Sequence, residues 1–230
     1  MDLTSSQDTT GHGRTALSGV GFHTSSTRNY IGVTTRVTWS WTTWTVVSSL
    51  NTKGFAMHVP VIETERLILR GHRLDDFEAL AAMWADPAVV RFIGGKPSTR
   101  EESWARLLRY VGHWQLLGFG YWAVALKDGA QFVGDVGFAD WQRDIAPSLN
   151  GMPEGGWVFT SDTHGRGVAS EAIQAALGWI NRHFGGKTTT CIVGVDNAPS
   201  IRVAEKNGYR EFTRAEFKGS PVIQFRRPQV

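Results

Sequence analysis

Apolar and polar residues along positions 57–230 recur with two periods, one typical of strands and one typical of helices. Alternation over Glu65–Arg70 predicts a strand. The next segment has apolar residues three and four positions apart, which predicts a helix that ends before Pro87. The face of that helix consists of Phe77, Leu80, Ala81 and Trp84.

A second helix and a hairpin are predicted to follow. Ser98 and Glu101 have the spacing of a capping box, which indicates where the helix begins. Asp128-Gly129 separates two apolar runs, 121–127 and 131–138, and this dipeptide is typical of a tight hairpin turn. The buried side of the helix is predicted to consist of Trp104, Leu107, Leu108, Val111 and Trp114.

The second half of the chain alternates between strands and helices. Short strands are predicted at 156–159, 188–195, 209–214 and 221–227. The first helix between them carries Val168, Ala172, Ala176 and Ile180 in register, and the second is predicted to be capped by Asn197 and closed by Gly208. The resulting order, β-α-α-β-β-β-α-β-α-β-β, predicts a mixed α/β fold with a partly antiparallel sheet.

Residues 1–56 differ in composition from the rest of the chain. They contain 21 Ser or Thr and a Trp-rich stretch, and alternation there allows a short strand near 33–47. Their polarity argues instead for a disordered segment, and a transit peptide is a weaker alternative. We expect Met57 to be the true start, with residues 1–56 a dispensable tail or a mistaken extension and residues 57–230 the functional domain.

Composition excludes several classes of protein. The single cysteine, Cys191, excludes a disulfide framework and a cysteine-rich zinc site, and it reads as a core residue. No apolar stretch approaches the roughly 18 residues of a membrane span, so we expect no membrane partner. The net charge of +3 is small, but residues 200–230 hold seven basic and three acidic side chains. This excess predicts an anionic ligand near the C-terminus.

The most informative segment lies between the strand at 156–159 and the helix after it. Its glycines, Gly165 and Gly167, allow the backbone to approach a ligand, and N–H groups at a helix start bind phosphate. The alternative is that this segment is only a glycine-rich connection and binds no ligand. A dinucleotide fingerprint is excluded because Ser170 stands at its third glycine, and a phosphate-binding P-loop is excluded because no Gly-Lys-Ser/Thr is present.

Several motifs in order resemble a known family. HGRGVASEA is followed about 30 residues later by DNAPSIRVAEKNGY, and ETERLILR and GYWAV…FVGDVGF precede them. Together these motifs over residues 61–227 resemble the GCN5-related N-acetyltransferases (GNAT), specifically the branch of ribosomal-protein N-terminal acetyltransferases. The resemblance implies a mixed, mostly antiparallel sheet with two splayed central parallel strands, flanked by helices. It also implies acetyl-CoA as co-substrate and no metal.

The resemblance assigns the cofactor site residue by residue. The pyrophosphate is expected on the turn His164, Gly165, Arg166, Gly167, Val168 and Ala169. His164 departs from the usual Gln or Arg, so a side-chain role there is open. Asn197 is expected beside the pantetheine and Ser200 near the sulfur. Many relatives carry a tyrosine acid where this chain has Ala204, so Ser200 becomes the candidate proton donor to the thiolate.

The chemistry of amine acetylation requires a base, because a primary amine is protonated at pH 7. A carboxylate can accept that proton directly or through one water, and backbone N–H groups on 156–160 can stabilise the oxyanion. Glu154, just before the central strand, is the first candidate base. Asp135 and Asp140 are the next candidates, whereas Glu171 is expected to cap or pack its helix and Asp196 to start the helix after 188–195. The aromatic residues that could line an acceptor pocket are Trp104, Trp114, Tyr121, Trp122, Trp141 and Trp157. Trp141, in the loop after the hairpin, is the preferred candidate.

The sequence therefore predicts a cytoplasmic N-acetyltransferase that moves the acetyl group of acetyl-CoA to a primary amine. The acceptor is either a small-molecule amine or a protein N-terminus, and the protein a monomer or a homodimer. One alternative is a CoA-binding module with little or no catalysis. Nucleic-acid binding through the basic C-terminal end is a weaker alternative, and we expect no nucleic-acid partner.

Overall fold

In the computed structural model, the described residues are 25–30, 33–40, 43–50, 58–185 and 187–228. The chain divides into two compact units, Met1–Ala56 and Met57–Val230. The first unit holds an antiparallel sheet of β1 (Ser25–Tyr30), β2 (Val33–Ser40) and β3 (Thr43–Leu50), in that order. The predictions that residues 1–56 are disordered or precede the true start stay predictions, and much of that segment lies outside the described residues.

The second unit is built around one eight-stranded sheet. The strands are β4 (Ile62–Glu63), β5 (Leu67–Arg70), β6 (Tyr121–Leu126), β7 (Phe132–Ala139), β8 (Glu154–Phe159), β9 (Thr189–Gly194), β10 (Arg210–Phe217) and β11 (Ser220–Arg227). Their order in the sheet is β10-β11-β9-β8-β7-β6-β5-β4, and all neighbours are antiparallel except β8 and β9. The helices are α1 (Phe77–Ala85), α2 (Pro87–Val90), α3 (Arg100–Leu117), α4 (Val168–His183) and α5 (Ala198–Lys206).

The parallel strands β8 and β9 meet only where they begin. Among the described residues, their ladder has one pair, Glu154 with Thr190, and the Thr190 N–H donates to the Pro153 carbonyl at 3.0 Å. The Thr160 N–H donates to Val133 of β7, and alternate residues of a strand point their N–H groups to opposite neighbours. The N–H groups of Trp157 and Phe159 therefore face the gap beside β9. This geometry confirms the predicted splay.

Apolar side chains cover both faces of the sheet. On one face α4 buries the predicted stripe of Val168, Ala172, Ala176 and Ile180 in the same cluster as Cys191. Cys191 is buried in this cluster, which confirms it as part of the core, and the burial raises the pKa of its thiol. The opposite face carries a second cluster, formed with α1, α2 and α3. The two clusters fix β8 between them, with its C-terminal end at the splay.

The structure corrects two predictions about α3. The helix is capped by Thr99 with Glu102, one residue later than predicted, because the Ser98 N–H is held by the Trp84 carbonyl outside the helix. The predicted buried face is correct only for Leu107 and Trp114. The other members of the buried face are Ser103 and Tyr110, whereas Trp104, Leu108 and Val111 are exposed.

Candidate active site

A cleft of about 460 Å³ opens where β8 and β9 separate. One wall is the C-terminal half of β8, from Trp157 to Phe159, and the facing wall is α5 with its cap, from Asn197 to Lys206. The start of α4 closes one end, and α2 with Phe92 and Ile93 forms a further wall. The cleft therefore lies at the carboxyl end of a central strand and at two helix N-termini.

The turn before α4 exposes backbone N–H groups to the cleft. Gly165 and Gly167 have φ values of +74° and +78°, a backbone conformation that other residues adopt only with strain. The first helical hydrogen bond runs from the Glu171 N–H to the Gly167 carbonyl at 3.1 Å. The N–H groups of Val168 and Ala169 precede that bond and lie in the cleft wall, where a helix start attracts anions.

The side chains of the same turn have separate surroundings. His164 lines the cleft, and its Nε2 lies 3.0 Å from the Phe159 carbonyl. Arg166 is exposed and is not among the residues that line the cleft. Its carbonyl accepts a hydrogen bond of 2.9 Å from Arg66. The structure thus brings five of the six predicted turn residues to the cleft and leaves the Arg166 side chain outside it.

Glu171 holds this turn to the N-terminal strands. Its carboxylate accepts from Thr64 Oγ1 at 2.6 Å and forms an ion pair with Arg66 at 2.6 Å. Burial raises the pKa of Glu171, but the hydrogen bonds from Thr64 and Arg66 outweigh that effect and keep it below its ordinary value. The hydrogen bonds of this carboxylate therefore hold the turn at 164–169 in place.

The opposite wall carries the two predicted residues of α5. Asn197 and Ser200 both line the cleft, and Asn197 Oδ1 accepts the Ser200 N–H at 3.2 Å as a helix cap. The side-chain NH₂ of Asn197 is not part of that bond. Arg202 and Lys206 line the same wall, so two of the basic residues in the C-terminal stretch lie beside the cleft.

Glu154 lies outside the cleft lining. It begins β8, is buried, and both of its oxygens accept hydrogen bonds of 2.7 Å from Arg143. Burial raises the pKa of this carboxyl above its ordinary value, and the hydrogen bond and charge of Arg143 oppose the rise. The link between Arg143 and Glu154 spans a loop and has no signal in residue spacing.

The other candidate carboxylates are distributed around the sheet. Asp135 is buried on β7, with its Oδ1 2.8 Å from His72 Nε2. Asp140 accepts N–H groups from Gln142 and Gly151 in the loop after β7. Asp196 is exposed between β9 and α5. The spacing of His72 and Asp135, 63 residues apart, gave no sign of their contact.

Aromatic residues mark the face of the sheet under α3. Trp141 is half-buried and contacts the Tyr121 ring at 5.8 Å between centroids. It does not line the cleft, whereas Trp157 does. The cleft wall formed by Val89, Phe92 and Ile93 was not predicted, because nothing in the spacing of these residues shows that α2 packs beside the gap between β8 and β9.

Among the described residues, no group of three or more His, Cys, Asp or Glu side chains could hold a metal ion. No described helix is both long enough and apolar enough to cross a membrane.

Comparisons with known proteins agree with this geometry. Residues 66–210 match the acetyltransferase (GNAT) domain family. The uncharacterized N-acetyltransferase p20 of Bacillus licheniformis is 25% identical over 169 residues, which cover 70% of this chain and 92% of p20. A GnaT-family acetyltransferase structure from Bordetella pertussis has a TM-score of 0.66 and 28% identity, covering 73% of this chain and 99% of that one.

Two more distant structures share the fold and contain coenzyme A. The ribosomal L7/L12 alpha-N-protein acetyltransferase RimL, in complex with coenzyme A, has a TM-score of 0.60 and 17% identity over 74% of this chain and 98% of that one. A spermidine N-acetyltransferase from Vibrio cholerae, with CoA and spermine, has a TM-score of 0.57 and 16% identity over 72% of this chain and 97% of that one. The family match spans well over half of the chain, so the protein belongs to the GNAT acetyltransferase family and is an acetyl-CoA-dependent acyltransferase.

Proposed function

We propose that this protein is an N-acetyltransferase in which a primary amine attacks the thioester of acetyl-CoA directly. The observation that carries the proposal is the cleft at the splay. There, free backbone N–H groups of β8 and the start of α4 meet at one opening. A ligand with phosphates for the N–H groups of α4 and a reactive carbonyl for those of β8 matches this arrangement.

The residues of the cleft fit acetyl-CoA, which supplies the acetyl group as an activated thioester. The N–H groups of Val168 and Ala169 at the start of α4 offer hydrogen-bond donors to a pyrophosphate. Arg202 and Lys206 on the facing wall add positive charge for the same ligand. RimL and the spermidine acetyltransferase, which have the same fold, hold CoA.

The N–H of Trp157 is our candidate for binding the thioester oxygen. It faces the gap between β8 and β9, and the side chain of the same residue lines the cleft. A donor fixed in a strand needs no reorganisation as negative charge develops on that oxygen, and loss of one such donor commonly costs about 10²–10³ in rate. The β8 backbone therefore serves as part of an oxyanion hole.

Ser200 is our candidate proton donor to the departing thiolate. It lines the cleft at the first turn of α5, where the positive end of the helix dipole also favours a thiolate. Ala204, at the place where many relatives have a tyrosine acid, is fully buried and has no proton to donate. The Asn197 side-chain NH₂ is left to bind the pantetheine.

Glu154 is our candidate general base. Its pKa is raised by burial, and a carboxyl group with a raised pKa is better matched to proton transfer near neutral pH. Its side chain lies on the α3 face of β8, with Tyr121 and Trp141 nearby on that face. We place the acceptor amine on this face, either as a small-molecule amine or as a protein N-terminus, in a cytoplasmic enzyme that is a monomer or a homodimer.

The test is release of free CoA thiol from acetyl-CoA in the presence of a panel of amines. The panel contains spermine, an amino acid, an aminoglycoside, and peptides that begin with Ala or Ser. Calorimetric titration with CoA measures binding in parallel. Amine-dependent thiol release supports the enzyme, CoA binding without release supports a binding module, and absence of both contradicts the proposal.

A further inference from the structure

The candidate base is too far from the cleft to reach an amine by itself. Val158, Gly156 and Glu154 direct their side-chain positions to the same face of β8, because alternate residues of a strand share a face. Val158 lines the cleft, whereas Glu154 does not. At about 3.3 Å per residue, Glu154 lies roughly 10 Å along the strand from Trp157. Some group must bridge that distance.

The Tyr121 side chain lies in this intervening space. Tyr121 of β6 pairs with Gly137 of β7, which pairs with Gly156 of β8, so the three positions form one row across the sheet. The hydroxyl of Tyr121 takes the place of a side chain at position 156, where an added Cβ would overlap Tyr121 Oη. The hydroxyl therefore lies on β8 between Val158 at the cleft and Glu154.

Two aromatic neighbours fix this hydroxyl. The Tyr110 ring stacks on the Tyr121 ring with 4.6 Å between centroids and 8° between planes. The Trp141 ring packs against the Tyr121 ring with 5.8 Å between centroids and 58° between planes. Both contacts hold the Tyr121 ring, and with it the hydroxyl, in place over Gly156.

The charge of Glu154 acts on this hydroxyl. Burial raises the pKa of Tyr121 far above its ordinary value, and the Glu154 carboxylate is the next largest cause, ahead of Asp135. The phenol is therefore neutral and keeps its O–H. Glu154 lies on the same face of β8, two residues from the Gly156 position that the hydroxyl occupies. Asp135 lies in the neighbouring row, with Ala123 and Val158, and is held by His72.

We propose that Tyr121 is a further catalytic residue, which relays the proton of the acceptor amine to Glu154. The inference rests on the proposed function. As the amine nitrogen bonds to the acetyl carbon, its N–H proton passes to Tyr121 Oη, and the Tyr121 O–H proton passes to Glu154, directly or through one water. The tyrosine is neutral before and after the step, and Glu154 ends protonated.

The test compares Tyr121→Phe with Tyr110→Phe, which removes the hydroxyl of the stacked neighbour and keeps its ring. For Tyr121→Phe we expect kcat to fall by about 10²-fold with the best amine of the panel. We expect KM for acetyl-CoA and the CoA affinity to stay within about twofold, because the groups assigned to CoA lie on the turn before α4 and on α5, whereas Tyr121 faces the acceptor side of β8. Tyr110→Phe is expected to keep the wild-type kcat.

A double variant separates catalysis from packing. Groups that act as one unit are not additive, so Tyr121→Phe with Glu154→Gln is expected to be no slower than the slower single variant. Gly156→Ala leaves Tyr121 unchanged but pushes its hydroxyl away from β8, and this variant is expected to show the same loss in kcat. A Tyr121→Phe enzyme with wild-type kcat, or additive losses in the double variant, would overturn the relay. A wild-type protein without amine-dependent thiol release would overturn the proposed function itself, and the relay with it.

Discussion

Replacing Arg143 by Gln is expected to destabilise the second unit in a pH-dependent way. Arg143 donates to both oxygens of Glu154 at 2.7 Å, and the two side chains are 22% and 6% exposed. Breaking a buried ion pair from one side costs about 3–5 kcal/mol, because the remaining charge has no partner. The partial exposure of Arg143 places the expected loss near the lower end, about 3 kcal/mol.

The pH dependence follows from the carboxyl that is left behind. The folded-state pKa of Glu154 is already raised by burial, and loss of the hydrogen bond and charge of Arg143 raises it further. A group with a raised folded-state pKa favours folding when protonated, so its contribution is complete below the ordinary value of 4.5 and is lost as pH rises through the folded value. The penalty in the variant is therefore smallest in acid and largest at neutral pH.

Thermal unfolding followed by circular dichroism measures this effect. For a unit of this size, about 3 kcal/mol corresponds to a melting temperature lower by roughly 6–12 °C, which we expect at pH 7.5. The loss is expected to shrink at pH 5, and Arg143→Gln with Glu154→Gln is expected to melt above Arg143→Gln alone. Equal losses at both pH values, or a wild-type melting temperature at pH 7.5, would show that the pair does not carry a buried charge.

Four other outcomes are expected. Glu154→Gln lowers kcat by about 10²-fold and removes the acidic limb of its pH profile, and an unchanged rate eliminates Glu154 as base. Gly165→Ala strains a positive-φ turn by about 1–2 kcal/mol, which calorimetry detects as weaker CoA binding unless the turn lies outside the site. Ser200→Ala lowers kcat by a larger factor than it changes KM for acetyl-CoA. A raised KM with an unchanged kcat would instead assign Ser200 to binding. Deletion of residues 1–56 leaves melting temperature and activity intact, and an insoluble or inactive product contradicts their dispensability.

Local patterns predicted the elements whose cause is local. The stripe on α4 was predictable because one apolar period runs through the whole helix, and Asn197 was recognisable as a cap from Pro199 beside it. Which face of α3 is buried was not predictable. Ser98 with Glu101 and Thr99 with Glu102 both have the spacing of a capping box, and apolar residues lie on more than one face of the helix. Tyr110 is buried by contacts with Tyr121 and His72, which belong to other elements.

The candidate site divides in the same way. The turn at 164–169 was predictable because backbone N–H groups at a helix start are a property of the chain itself. The surroundings of Glu154 were not, because Arg143 reaches it across a loop and Tyr121 reaches β8 across two glycines. Such contacts depend on strand order, which spacing along the chain does not encode.

The gap between β8 and β9 divides the sheet of the second unit into two parts, β4–β8 and β9–β11, which share a single rung. The apolar cluster under α4 spans both parts. A coenzyme in the cleft would contact β8 on one side and α5 on the other, and would so link the two parts. Binding at a hundred times its Kd would add about 2.7 kcal/mol to the stability of the fold. The protein is therefore expected to melt at a higher temperature with coenzyme bound than without it.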